Sequence, residues 1–180
     1  LFPKSMLEVT QATGDSFEPP SFSYPLGTDD TGRSVLALVA WGARVSLTVG
    51  LAATVIAMVI GTAVGIASGH YRGVFGGTLD RVTDWFLVIP YLPLAIVLAT
   101  VLGKSMLNII IVIGVTSWPA TARLIRAQTL AIEGRPYLER ARALGGGHVH
   151  RMTKHVLPNV MPLVLANTAL AVSLSILAAI

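Results

Sequence analysis

Apolar residues in this chain come in long unbroken runs separated by short charged segments. Val35–Ala43 is apolar and is followed by Arg44. Val45–Gly69 is then 25 residues without a charge. About 20 apolar residues cross the hydrocarbon core of a bilayer, so this run predicts a membrane-spanning helix. Trp85–Gly103 is a second uncharged run of 19 residues. Asp84 and Trp85 stand at its entrance, where an interfacial aromatic is expected. Pro90 and Pro93 fall inside it and predict a kink, because each proline removes a backbone donor. Gly103-Lys104-Ser105 reads as a tight turn. Met106–Ala122 is a third run, closed by Arg123 and Arg126, and Asn159–Ile180 begins a fourth.

Along Val45–Gly69, Ala53, Ala57, Gly61, Gly65 and Gly69 recur every fourth residue. That spacing sets small side chains along one ridge, where a second helix can approach closely. His70–Thr83 reads as a short connection.

Composition agrees with a membrane protein. Hydrophobic residues make up 53% of the 180 and charged residues 12%, with a mean hydropathy of +0.71. A soluble domain carries about 25% charged residues. With no cysteine, disulfide, thiolate-metal and thiol-redox chemistry are excluded.

The distribution of charge orients the chain. Residues 1–34 hold Lys4 and Arg33 against Glu8, Asp15, Glu18, Asp29 and Asp30, a balance of 2 − 5 = −3. Residues 123–158 hold seven basic and two acidic side chains, a balance of +5. Lys and Arg concentrate on the cytoplasmic side. The 123–158 loop is therefore expected inside, the 103–105 turn outside, the 70–83 segment inside and the 1–34 polar segment outside. The chain lacks an initiator Met and ends within an apolar run, so it reads as a piece of a longer protein.

The loop is itself patterned. Pro136 suits the first turn of a helix. Tyr137–Leu144 is rich in helix formers, and Gly145 suits the left-handed residue that ends a helix. Gly146 and Gly147 leave the turn soft, His148–Leu157 predicts a second helix, and Pro158 starts or kinks the next span.

Catalytic patterns are missing. No G-x-x-x-x-G-K-[ST] occurs, so the chain carries no phosphate-binding loop of that kind. H-E-x-x-H, G-x-S-x-G and paired membrane aspartates are absent too. No titratable side chain lies inside the spans, which speaks against a proton-coupled secondary transporter. His148, His150 and His155 have no acidic or thiolate companion ligand and read as polar surface or interface residues, not a metal site. No nucleic-acid-binding module is recognisable in the basic loop.

Within the loop, Glu139-Arg140-Ala141, Gly145 and Leu157-Pro158 are spaced as in the cytoplasmic EAA loop of ABC-importer permeases. That pattern is Glu-Ala-Ala, three residues, Gly, nine residues, Ile, one residue, Leu-Pro. Arg140 replaces an alanine and His155 stands where isoleucine is usual. Tyr24-Pro25-Leu26-Gly27-Thr28-Asp29, with Gly32-Arg33, resembles a signature of the dipeptide, oligopeptide and nickel branch, as does Trp118-Pro119-Ala120-x-Ala122-Arg123. The resemblance covers residues 24–180.

It implies an all-α, polytopic bundle of the type I ABC importer kind in the cytoplasmic membrane. One span would precede residue 1, and at least one more would come after Ile180. It further implies a second permease subunit, two ATP-binding subunits that carry the ATP and Mg, an extracytoplasmic binding protein and a peptide substrate. Tyr137–Gly145 would be the helix that docks on an ATPase, with Glu139 facing a basic group there. Ala141 would allow close approach, and Gly145 would permit the turn. Leu157-Pro158 would anchor the loop to the next span. Tyr137, Arg140 and Leu144 complete this docking set. The alternatives are a channel or secondary transporter whose basic loop only sets topology, and a membrane scaffold.

Overall fold

The computed structural model describes residues 9–71, 73–103 and 105–178. Lys4, Glu8 and Arg72 of the charge pattern and Lys104 of the turn lie outside them. The described residues build helices, with one isolated bridge between Thr28 and Ser34 and no strand. Among the described residues three helices are long and apolar enough to cross a membrane, and a bent pair adds a fourth if it counts as one span. The chain divides into two compact units, residues 1–48 and 49–180.

In the first unit, a polar loop folds over its own side chains. Thr28 is buried; its hydroxyl donates to the Asp15 carbonyl at 2.6 Å and accepts from the Glu18 N–H at 2.8 Å. Asp29 organises the next turn. Its carboxylate accepts from the Thr31 and Arg33 amides and from Arg33 Nε at 2.7 Å. Burial pushes this carboxyl up, but the donors of Arg33 and Thr31 outweigh it and hold it well below the usual carboxylate range. Ser34 then opens helix α1, Val35–His70, accepting from the Ala37 amide at 3.4 Å. The helix therefore starts ten residues before the uncharged run at Val45, and Arg44 rides on it. One cation does not end a helix whose backbone hydrogen bonds continue.

The second unit holds the remaining helices: α2 (Val74–Val88), α3 (Tyr91–Leu102), α4 (Met106–Glu133), α5 (Pro136–Ala143), α6 (His148–Arg151) and α7 (Leu157–Ala178). The small-residue ridge of α1 lies against α4. A Cβ on Gly61 would sit 2.7 Å from Thr121 Cβ, one on Gly65 2.6 Å from the Ala122 carbonyl, and one on Gly69 2.7 Å from Thr129 Cβ. Ala53 and Ala57 are buried on the same stripe. Apolar burial gives helices little drive to associate inside a membrane, so close backbone approach and van der Waals contact hold this pair.

α7 closes the unit. Val156, Val160 and Val164 pack with Ile125, Ile132 and Ile66. Thr54 donates across to Ser175 at 3.1 Å, and Asn167 Nδ2 donates to Thr121 Oγ1 at 3.1 Å.

The second apolar run is not one straight helix. It splits at Ile89-Pro90 into α2 and α3, whose axes turn by 91°. α2 begins at Val74, inside the segment expected to be a connection, because Asp80 and Asp84 have partners there and Arg81 is exposed. Asp84 pairs with Arg123 at 2.8 Å and Asp80 with Arg126 at 3.1 Å. Phe86 packs on Trp118 of α4, their rings 5.3 Å apart. These contacts also explain why α4 passes Arg123 and runs on to Glu133, making the charged loop shorter than the sequence pattern implies.

Candidate functional site: the loop between α4 and α7

Gly134 ends α4, and α5 begins within two residues. Pro136 occupies its first turn, Glu139 lies in that turn, and Arg140 and Arg142 lie in the last. This order complements the helix dipole, acid at the positive end and bases at the negative end. Leu138 is 2% exposed and joins the Ile132–Val156–Val160 cluster. Burying it contributes about 2 kcal/mol to holding α5 in place. Glu139, Arg140 and Arg142 remain exposed, and Leu144 is 88% exposed.

α5 stops in a Schellman motif. The Gly145 amide donates to the Arg142 carbonyl at 3.0 Å, and the Gly146 amide reaches back to the Ala141 carbonyl at 2.9 Å. Gly145 has φ +83°, a region only glycine enters cheaply. Gly146 is not the soft joint expected from its sequence. A Cβ there would lie 2.6 Å from the Ala141 oxygen. Ala141 thus matters for its carbonyl, which receives the turn.

Beyond the turn, α6, a π-turn over Met152–Val156 and α7 form one continuous rod of 30 residues, His148–Leu177. Pro158 stands second in α7 and starts that span, as its sequence position predicts, without interrupting the rod. The Leu157 amide bonds five residues back to the Met152 carbonyl, and Pro158 enters the helix directly after this wide turn. Leu157 packs on the core cluster, while Pro158 is exposed.

The wide turn also separates the histidines. His150 and His155 pair with ring centres 5.7 Å apart, and His155 approaches Tyr137 at 6.3 Å. They share a shallow hollow of about 300 Å³ with Arg140, Ala141 and Leu144. His148 points elsewhere, to a second cavity of about 370 Å³ beneath α5.

That second cavity holds residues the sequence pattern did not single out. His70, the last residue of α1, has no exposed side-chain surface. Its Nδ1 pairs with Glu133 Oε1 at the end of α4, and its Nε2 lies 3.0 Å from His148 Nδ1. Arg151, buried on the same face, directs a guanidinium nitrogen to His148 Nδ1 at 3.1 Å. Glu139 and Arg142 also line this cavity. The available signal was position: His70 directly follows the last small residue of the ridge. Asn167 was likewise missed, a lone amide in the middle of an apolar run.

Comparison with known proteins agrees with this architecture. The chain is 34% identical over 160 residues to the glutathione transport system permease protein GsiD of Escherichia coli O6:K15:H31, which covers 89% of this chain and 53% of the relative. The counterpart in Shigella boydii serotype 4 matches equally. That of Pectobacterium atrosepticum is 31% identical over 162 residues, 90% of this chain and 54% of the relative. The chain thus spans about half the length of the curated relatives it matches. The model of the family described as "binding-protein-dependent transport system inner membrane component" matches residues 57–180, and the chain belongs to that family of multi-pass membrane proteins.

Proposed function

We propose that this chain is the membrane-spanning permease part of an ATP-driven importer for peptide-like solutes, with α5 as the element that receives motion from an ATPase subunit. The observation that carries this reading is the build of α5. It is a short helix anchored by Leu138, ended by a fixed Schellman turn, and presenting Tyr137, Glu139, Arg140 and Leu144 outward. An element this rigid, hung between two spans, moves as a body when pushed and carries the ends of α4 and α7 with it.

In this reading the loop lies in the cytoplasm, which its basic excess supports, and residues 1–34 lie outside. Glu139 meets a basic group of the ATPase, and Arg140 adds a cation beside it. Two ATP-binding subunits hold ATP and Mg, and a second permease subunit completes the path. A binding protein outside delivers the solute. The glutathione transport relatives make a tripeptide-sized solute the first to try.

The test is ATP-dependent uptake of labelled glutathione and dipeptides into proteoliposomes holding the full complex. Wild type is compared with Glu139→Ala and Gly145→Pro. Proline cannot adopt the φ of +83° at residue 145, so the second variant unfastens the turn. The expected result is loss of uptake in both variants, with the complex still in the membrane. Unchanged uptake, ATPase association and solute-stimulated hydrolysis would refute the coupling role. ATP-independent solute flux through the wild type would favour a channel.

A further inference from the structure

Two cavities adjoin α5, and they differ in charge. Glu139 lines the one that also holds Arg142 and Arg151. The shallow hollow is lined instead by Tyr137, Arg140, Leu144, His150 and His155, and no carboxylate is among its lining residues. Ala141 and Gly146 bring little bulk to it, which leaves the space. Arg33, Arg123 and Arg126 each hold an aspartate, but among the described residues Arg140 has no ion pair.

The Arg140 guanidinium keeps its charge at any working pH. A histidine ring carries at least one N–H whichever tautomer it adopts, and the Tyr137 hydroxyl can donate too. The hollow therefore offers a permanent cation and several donors, with no anion of its own. An apolar side chain pressed into it would strip water from Arg140 and give the guanidinium no acceptor, which is unfavourable. A carboxylate can take two parallel bonds from the same group. Leu144 beside it, 88% exposed, offers apolar surface to the same partner. Tyr and Arg together are the side chains enriched where proteins meet. The two positions at which the chain departs from the EAA pattern, Arg140 and His155, both line this hollow, so the departures bear on one contact.

We infer that the hollow receives one Asp or Glu side chain of the ATPase subunit, paired with Arg140, and that this pair helps select which ATPase the permease accepts. The inference rests on the transport reading and deepens it. Glu139 and Arg140 then present two opposite charges on adjacent residues, and an ATPase with the wrong pattern meets like charge.

The experiment uses the full-length permease in its complex, held in lipid nanodiscs, and reads the dissociation rate of the ATPase subunits. Arg140→Glu is expected to speed dissociation about tenfold or more, because it sets like charges together. Lys154→Glu makes the same change of charge at an exposed residue outside the hollow, and is expected to change the rate by less than about twofold. Equal effects of the two variants overturn the inference, since the total charge of the loop then suffices. An Arg140→Glu effect that needs phosphatidylglycerol and vanishes in phosphatidylcholine alone overturns it too, because a lipid headgroup then fills the hollow. Arg140→Lys gives a second readout. Carbodiimide joins an amine to a carboxylate in contact with it, and is expected to link residue 140 of this variant to one Asp or Glu of the ATPase, located by mass spectrometry. Absence of that link refutes the pair. Normal dissociation in Arg140→Glu, with uptake lost in Glu139→Ala and Gly145→Pro, refutes this inference and leaves the transport reading standing. A wild type that binds no ATPase refutes both.

Discussion

Gly65→Leu tests the claim that close backbone approach holds α1 to α4. Even the first carbon of the new side chain would lie 2.6 Å from the Ala122 carbonyl oxygen and 2.8 Å from Ile125 Cβ. Ordinary contact begins near 3.4 Å, so the helices must part by at least 3.4 − 2.6 = 0.8 Å. The obstructing atoms are backbone and a fully buried isoleucine, and neither can swing away. Three further carbons then need room that the unperturbed pair does not have. Overpacking of this kind costs about 3 kcal/mol, at the upper end of its usual range, which is roughly a 150-fold change in the unfolding constant. Gly77→Leu is the control, because no atom lies within 4 Å of a Cβ there. The assay is reversible unfolding of the full-length chain in bicelles by steric trapping. If Gly65→Leu changes stability by no more than about 0.5 kcal/mol, the size of an ordinary surface substitution, the packing argument fails.

Two other outcomes are expected from the same structure. Asn167→Ala removes the hydrogen bond to Thr121; the same unfolding assay should show a loss of about 0.6 kcal/mol, the usual size for such bonds between membrane helices. Asp29 gives a pH dependence of definite sign. Its folded carboxyl is depressed below the ordinary 3.8, so its stabilising effect is complete above that value and fades only as pH falls further. The amide resonances of Thr31 and Arg33 should hold steady through the normal carboxylate range and move only in stronger acid. Asp29→Asn should remove that acid transition.

The spans, the ridge and the helix stop at Gly145 could be read from the chain because each rests on local rules. Apolar length sets a span, a four-residue spacing sets a ridge, and a glycine after a run of helix formers sets a stop. The start of α1 at Val35, the entry into α2 at Val74 and the extension of α4 to Glu133 could not be read this way. In each case a charge looks like a boundary in one dimension and finds a partner or an open surface in three, as Asp84 does with Arg123 and Asp80 with Arg126. The cavity around His70 was hidden for a related reason. Glu133 and His148 are 63 and 78 residues from His70 along the chain, and only the folded packing of the helices brings them together. Pro158 was legible as the start of the last span, while the π-turn before it was not. A wide turn of five residues has no local marker in the sequence that sets it apart from an ordinary helical turn.

That π-turn makes the loop spacing a matter of angle as well as length. Buried positions on the rod run Arg151, Val156, Val160, Val164, a step of five and then steps of four. The extra residue keeps Arg151 in phase with the valines that face the core. Delete one residue between Met152 and His155 and a plain α-helix can form with the same inward face. Insert one and the side chains of His148 to Arg151 swing about 100° around the axis. The nine residues that separate Gly145 from His155 thus act as a phase setting, aligning what α5 presents with what α7 buries, and the segment should tolerate loss of a residue better than gain of one.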